Sequence, residues 1–168
     1  AEAEQAAKDL IIMFAEQGRG HPYAARRARQ LPWIPVPAVV ADLGKMPQWS
    51  PQCRMMKALG PIRPGTRTIN LNRHNLLFWP TTSVITEVIP EKKLAFRVPI
   101  NHSVWTYELE PTATGTRLVE SRHAENGVTA TSTIITKAAL GGVDSFEKEL
   151  IEGMRQSLAR IKAAAEGH

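Results

Sequence analysis

The sequence predicts an α+β fold in which a consecutive antiparallel sheet packs against a long C-terminal helix. From about residue 60 to residue 123, short runs rich in threonine, valine and aromatic residues alternate with turn residues, which is typical of a β-meander. From about residue 144 to residue 166, apolar side chains recur every three or four residues. They form one stripe along a helix: Phe146, Leu150, Met154, Leu158 and Ile161.

The segment before the sheet is predicted to be helical in two places. Residues 4–17 place apolar side chains at helical spacing, and two glycines follow them. A short helix is expected to begin at Pro37 and to end near Gly44. Between these helices, residues 21–37 contain three prolines and several arginines, so no regular central strand is expected there. We therefore expect an N-terminal helical extension, residues 1–20, followed by one domain, residues 21–168.

Composition excludes several classes of protein. The single cysteine, Cys53, excludes an internal disulfide and a multi-cysteine metal site, and a reducing cytoplasm is the expected compartment. No two histidines have metal-ligand spacing, so neither a metal nor a cofactor is predicted. No apolar run approaches the ~20 residues that span a bilayer. The net charge is +5, but positive charge is concentrated only at residues 26–29, so we do not expect nucleic acid binding.

The hairpin formed by residues 103–123 has two reasonable registers. In the first, Leu109 lies opposite Leu118; in the second, Leu109 lies opposite Arg117, and each apolar residue then meets a charged partner. We favour the first register because it keeps apolar side chains together. It places six side chains on the inner face of the sheet: Trp105, Tyr107, Leu109, Leu118, Glu120 and Arg122. His123 is then expected to face outward.

The order of elements and several short stretches together resemble a known family. The stretches are ADLGKMPQWSP (41–51), Gly65 at the start of a strand, VWTYELEP (104–111), GTRLVES (115–121) and the helix of residues 145–166. Over residues 36–166 the chain resembles the START-like, or SRPBCC, superfamily, in particular its polyketide cyclase/dehydrase and lipid-transport members. The resemblance implies a helix-grip fold, in which a curved antiparallel sheet wraps around the C-terminal helix and leaves an internal cavity. It also implies a hydrophobic or amphipathic ligand, such as a lipid, isoprenoid or polyketide.

Ten residues are predicted to contact that ligand. They are the six inner-face residues of the hairpin together with Trp79, Phe96, Leu150 and Met154. A buried carboxylate needs a partner, so we expect Glu120 to pair with Arg122, Tyr107, Arg67 or Arg97. Three roles stay open for this pair: an ion pair at the pocket rim, a contact for a polar ligand group, and acid–base catalysis. No catalytic residue is assigned.

Three functions are compatible with the sequence. The first is a protein that carries or sequesters a hydrophobic small molecule in a cavity between sheet and helix. The second is an enzyme that resembles a polyketide cyclase or dehydratase. The third is a module whose basic surface contacts RNA, the ribosome or a membrane, the last in a transient way. The oligomeric state is not predicted.

Overall fold

The computed structural model describes residues 9–15, 40–111, 115–124 and 143–166. The described residues form seven strands: β1 (Asp9–Ala15), β2 (Cys53–Ala58), β3 (Arg67–His74), β4 (Leu77–Ile89), β5 (Lys93–Val98), β6 (Ser103–Pro111) and β7 (Gly115–Ala124). Two helices accompany them, the short α1 (Met46–Trp49) and the long α2 (Val143–Glu166). Single 3-10 turns precede α1 at Leu43–Lys45 and follow β5 at Pro99–Asn101.

All seven strands belong to one antiparallel sheet in the order β1-β7-β6-β5-β4-β3-β2. From β2 to β7, neighbours in sequence are neighbours in space, so the predicted meander is confirmed. The apolar stripe of α2 contributes Leu158 and Ile161 to a core that also contains Ile85, Phe96 and Leu118 from the sheet. This arrangement, with a curved sheet and a C-terminal helix, is the predicted helix-grip α+β fold.

The predicted N-terminal helix is wrong over the part that the structure describes. Residues 9–15 are strand β1, which pairs with β7 and matches Ile12 with Leu118. The run LIIMFA, residues 10–15, is short and continuously apolar, and such a run fits a strand as well as a helix. Pairing with the free edge of β7 decides between them, because that edge offers a full row of hydrogen-bond partners. The division of the chain at residue 20 stays a prediction, and residues 21–39 lie outside the described residues.

The segment before β2 differs from the single helix expected there. Helical turns at residues 40–41 and at Leu43–Lys45 are separated by Asp42, whose side chain accepts a hydrogen bond of 3.1 Å from the Gly44 amide. Strand β2 itself was not predicted. It forms the edge of the sheet beside β3. A bulge between Cys53 and Met55 interrupts the alternation of buried and exposed side chains, so the sequence of β2 lacks the period of two that indicates a strand.

Pro80 lies where its missing amide hydrogen costs nothing. Pro80 pairs with Leu71 of β3, whereas β5 pairs only with residues 84–89 of β4. Among the described strands, residues 77–83 therefore have a neighbour on one side only, and Pro80 is at an edge of this part of the sheet.

The predicted register of the β6–β7 hairpin is confirmed. Leu109 lies opposite Leu118, Tyr107 opposite Glu120 and Trp105 opposite Arg122. On the other face, Glu110 lies opposite Arg117, and the two side chains form an exposed ion pair of 3.3 Å. The expected outward position of His123 is also found, since its side chain is exposed.

Candidate functional site

A pocket lies between the inner face of the sheet and helix α2. Its volume is about 150 Å³, and it is partly open to solvent. Strands β2 to β7, the turn after α1 and one face of α2 all contribute to its wall. Most of the exposed lining is apolar. The pocket therefore has the character of a small-molecule site, with an apolar body and a few polar groups.

Eight of the ten residues predicted to contact a ligand line this pocket. They are Trp79, Phe96, Trp105, Tyr107, Glu120, Arg122, Leu150 and Met154. The remaining two, Leu109 and Leu118, are buried in the core and do not contribute to the pocket wall. Both lie on the predicted inner face, but the pocket reaches only the part of that face nearer to the start of β6. The ligand-binding role of all ten residues stays a prediction.

Glu120 is the most unusual group in the pocket wall. Its side chain is 2% exposed, and its Oε1 accepts a hydrogen bond of 2.8 Å from the Tyr107 hydroxyl. Its Oε2 is buried, and none of the described residues forms a hydrogen bond with it. Of the four partners that the sequence offered, the structure supplies Tyr107 for Oε1. A carboxyl with one satisfied oxygen in an apolar wall is expensive to ionise.

Burial raises the pKa of Glu120 from 4.5 to about 8, although the hydrogen bond from Tyr107 opposes part of this change. The carboxyl is therefore largely protonated at neutral pH. The hydroxyl hydrogen of Tyr107 has two acceptors within reach, Glu120 Oε1 at 2.8 Å and Met46 Sδ at 3.7 Å. When the nearer Oε1 accepts it, Oε2 is the oxygen that holds the carboxyl proton. Burial, followed by the charge of Glu120, also raises the pKa of Tyr107 well above its usual value.

Arg122 brings a cation to the same wall, two residues along β7. Its side chain is 9% exposed, and its guanidinium carbon lies 6.0 Å from the centre of the Trp105 ring. A guanidinium at that distance from an indole face gains a cation–π interaction while it stays near the pocket. Glu120 and Arg122 thus share a face, as predicted, but Tyr107 is the hydrogen-bond partner of Glu120.

A second polar wall was missed by sequence reasoning. The inner face of β3 and β4 carries Asn70, Asn72 and Thr81 into the pocket lining. Thr81 Oγ1 accepts hydrogen bonds from Asn72 Nδ2 at 3.1 Å and from Asn70 Nδ2 at 3.4 Å. Behind them, Thr68 and Ser83 are fully buried and hydrogen-bonded to each other. The period-two alternation of TINLN in β3 was the available signal, because it separates Thr68, Asn70 and Asn72 from the apolar Ile69 and Leu71.

Cys53 lies at the β2 side of the pocket and behaves as a buried apolar group. It is 6% exposed, and burial raises the pKa of its thiol to about 11. A thiol with so high a pKa is protonated at neutral pH and is a poor nucleophile.

Gly153 of α2 lines the pocket where Pro51 approaches the helix. A Cβ at this position would lie 3.5 Å from Pro51 Cγ, an ordinary contact. Pro51 therefore lies against the helix at this point and leaves room for a methyl group.

Gly153→Ala is expected to raise the free energy of unfolding by about 1 kcal/mol, because alanine is the better helix former and its methyl group fits. The added methyl also narrows the pocket. Urea unfolding of the two proteins measures the gain. A loss of stability would mean that Pro51 cannot accept the contact.

The described part of the chain contains no group of three histidine, cysteine, aspartate or glutamate side chains that could hold a metal ion. Among its helices, none is long and apolar enough to cross a membrane.

The comparisons with known proteins agree with this geometry. A family model described as polyketide cyclase/dehydrase and lipid transport matches residues 35–166. The chain belongs to this family. The family match confirms the resemblance inferred from the sequence. No curated protein sequence gives a significant match.

Several solved structures share the fold of this chain at low sequence identity. The di-domain ARO/CYC StfQ from the steffimycin biosynthetic pathway is 13% identical, with a TM-score of 0.67, over 99% of this chain and 53% of that one. The di-domain ARO/CYC BexL from the BE-7585A pathway is also 13% identical, with a TM-score of 0.64, over 95% and 50%. Protein NE0264 from Nitrosomonas europaea is 15% identical, with a TM-score of 0.57, over 96% of both chains. The chain thus spans about half the length of the two di-domain structures.

Proposed function

We propose that this member of the polyketide cyclase/dehydrase and lipid transport family binds a small molecule that has an apolar body and a hydrogen-bond acceptor. The protein carries or sequesters this molecule in the pocket between the sheet and α2. The observation that carries the proposal is the buried Glu120 carboxyl in the pocket wall, whose Oε2 has no hydrogen-bond partner among the described residues and whose raised pKa keeps it largely protonated at neutral pH. Glu120 lines the pocket but its Oε2 is covered, so a ligand carbonyl or ether oxygen would accept the hydrogen of Oε2 after a small shift of the wall.

The size of the pocket limits what enters it without rearrangement. An apolar cavity of about 150 Å³ holds a molecule the size of benzene. One ring or one isoprene-like end of a ligand therefore fits the pocket as it stands. A lipid, isoprenoid or polyketide would place one end here and extend through the opening.

The pH dependence of binding tests the role of Glu120. Acetophenone and ethylbenzene have nearly the same shape, but only acetophenone carries an acceptor. From about pH 6 to about pH 9, Glu120 loses its proton, and the acetophenone affinity is expected to fall about tenfold. The ethylbenzene affinity should change much less. Tryptophan fluorescence measures both affinities, because Trp79 and Trp105 line the pocket.

Glu120→Gln supplies the matched control for this experiment. The amide has the same shape as the protonated carboxyl and keeps a donor at every pH, so acetophenone binding should become independent of pH. If neither compound binds in a saturable way, the binding proposal fails. If both compounds show the same pH dependence in the wild type, Glu120 does not contact the acceptor.

A second candidate function is an enzyme that resembles a polyketide cyclase or dehydratase. One observation favours it: Glu120 has a pKa near neutral pH, where a general acid is most effective, and Arg122 is close enough along β7 to stabilise a developing oxyanion. Glu120→Gln separates the two functions. A carrier keeps its ligand affinity in this variant, whereas an enzyme keeps affinity and loses turnover because the amide has no proton to give. Binding to RNA or the ribosome stays a prediction from charge alone.

A further inference from the structure

The outer face of the β2–β3–β4 edge is apolar over much of its area. On this face, three cross-strand sets lie next to one another: Met55 beside Leu71 and Pro80, Lys57 beside Ile69 and Thr82, and Arg73 beside Phe78. Phe78 is 52% exposed, Ile69 43% and Met55 40%. We call this surface, together with the tip residue Leu76, the outer patch.

The charges of the outer patch have one sign. Lys57, Arg67 and Arg73 lie on it, and the bulge in β2 exposes Arg54 beside Met55. The guanidinium carbon of Arg73 lies 5.3 Å from the centre of the Phe78 ring. No aspartate or glutamate occupies an outward-facing position of β2, of β3 or of β4 as far as residue 84. Exposed apolar side chains interspersed with cations and free of acids are complementary to an anionic bilayer surface.

The tip of the β3–β4 hairpin is the most exposed apolar point of the described chain. A two-residue turn, Asn75–Leu76, joins the strands, and Leu76 is 90% exposed. Asn75 has a positive φ of 52° and so supplies the conformation that such a turn requires. Turn chemistry gives no reason for leucine at the next position, where small or polar residues are usual. Leu76 therefore has no evident role inside the fold.

The hairpin tip is close to one end of the pocket. Asn72 and Trp79, which face each other across the hairpin, both line the pocket, and each lies about 7–13 Å along its strand from the turn. His74, on the inner face, lies 3.0 Å from Glu149 of α2, one residue before the pocket residue Leu150. The tip thus stands beside the place where hairpin and helix meet.

We propose that the outer patch docks on an anionic lipid bilayer, with Leu76 and Phe78 in the interfacial region and the cations against lipid headgroups. The apolar side chains of the outer patch favour a bilayer over RNA. A surface that binds RNA would combine cations with several aromatic rings on which bases stack, whereas the outer patch has one aromatic ring and its other apolar groups are aliphatic. Docking in this way places the pocket beside the bilayer. An apolar ligand could then pass between the two with a short path through water.

Vesicle sedimentation tests the docking. The wild-type chain is expected to sediment with vesicles that contain phosphatidylglycerol and to stay in solution with vesicles of phosphatidylcholine alone. Leu76→Asp should weaken the sedimentation about tenfold or more, because it removes the inserted side chain and adds a repelled charge. Ile89→Asp is the matched control: Ile89 is 42% exposed at the opposite end of β4, so this variant should sediment as the wild type does.

Charge variants complete the test. Lys57→Glu with Arg67→Glu should also weaken sedimentation about tenfold or more, whereas the same charge change at Lys92 and Arg155, outside the outer patch, should have a small effect. The proposal is overturned if the wild type does not sediment with anionic vesicles, or if Leu76→Asp sediments like the wild type. Equal losses in patch and control variants also overturn it, because binding then follows net charge. Glu120→Gln is expected to sediment normally, since it alters only the pocket.

Discussion

Glu120→Gln is expected to remove most of the pH dependence of stability between pH 4.5 and about pH 8. The folded chain raises the pKa of Glu120 from 4.5 to about 8, so in this range the folded state holds a proton that the unfolded state has lost. Stability therefore falls as pH rises through this range, and the contribution is fully present only below pH 4.5. The corresponding free energy is about 3–5 kcal/mol. The glutamine variant is neutral throughout, and at pH 8 it should be more stable than the wild type by about this amount.

The measurement is urea unfolding of both proteins at several pH values across this range. Glu110→Gln is the control, because Glu110 lies on the same hairpin but is exposed and pairs with Arg117 at the surface. That variant should keep the pH dependence of the wild type and lose less than about 1 kcal/mol. If the wild type and Glu120→Gln have the same slope against pH, then Glu120 is ionised in the folded protein, and the hydrogen-bond donor proposed for the ligand is absent.

Local alternation was sufficient to predict the part of the site on β6 and β7. In this hairpin, each choice of register brings different side chains together, and one register places leucine against arginine. The cost of that mismatch made the correct register identifiable, and with it the shared face of Tyr107, Glu120 and Arg122. The same reasoning could not choose among the partners of Glu120, because hydrogen-bond geometry depends on side-chain positions that register alone does not fix.

Other parts of the fold depend on contacts that are distant in sequence. The run at residues 9–15 is a strand because β7 offers it an edge more than a hundred residues later, and nothing within the run distinguishes that outcome from a helix. The polar wall of the pocket has a related origin. Asn70 and Thr81 become neighbours through the β3–β4 pairing, and they belong to the pocket because β2 and α2 close over them.

The sequence alone also could not predict where the pocket ends. Leu109 and Leu118 share the inner face with Glu120, yet they fill the core beyond the end of the pocket. Whether an inward-facing residue meets a cavity or another side chain depends on how closely the helix approaches that part of the sheet. Pairing between Ile12 and Leu118 shows that β1 adds a neighbouring strand at this level.

Leu118→Ala is expected to destabilise the protein by about 3–5 kcal/mol and to leave the pocket intact. Leu118 is 0% exposed, and its truncation leaves a closed cavity that surrounding residues cannot fill. Because the residue does not line the pocket, the affinity for ethylbenzene in the folded protein should stay within about twofold of the wild type. Urea unfolding gives the first quantity, and tryptophan fluorescence titration at low temperature gives the second.

Met154→Ala is the matched comparison, because Met154 is also buried in the apolar interior but forms part of the pocket wall. Its truncation enlarges a space that is already open, so the ethylbenzene affinity should change several-fold while stability falls by about 2–4 kcal/mol. A large change in affinity for Leu118→Ala, with none for Met154→Ala, would show that the ligand occupies the region around Leu118. The binding site would then have to be extended along the inner face toward Leu109, as the sequence alone predicted.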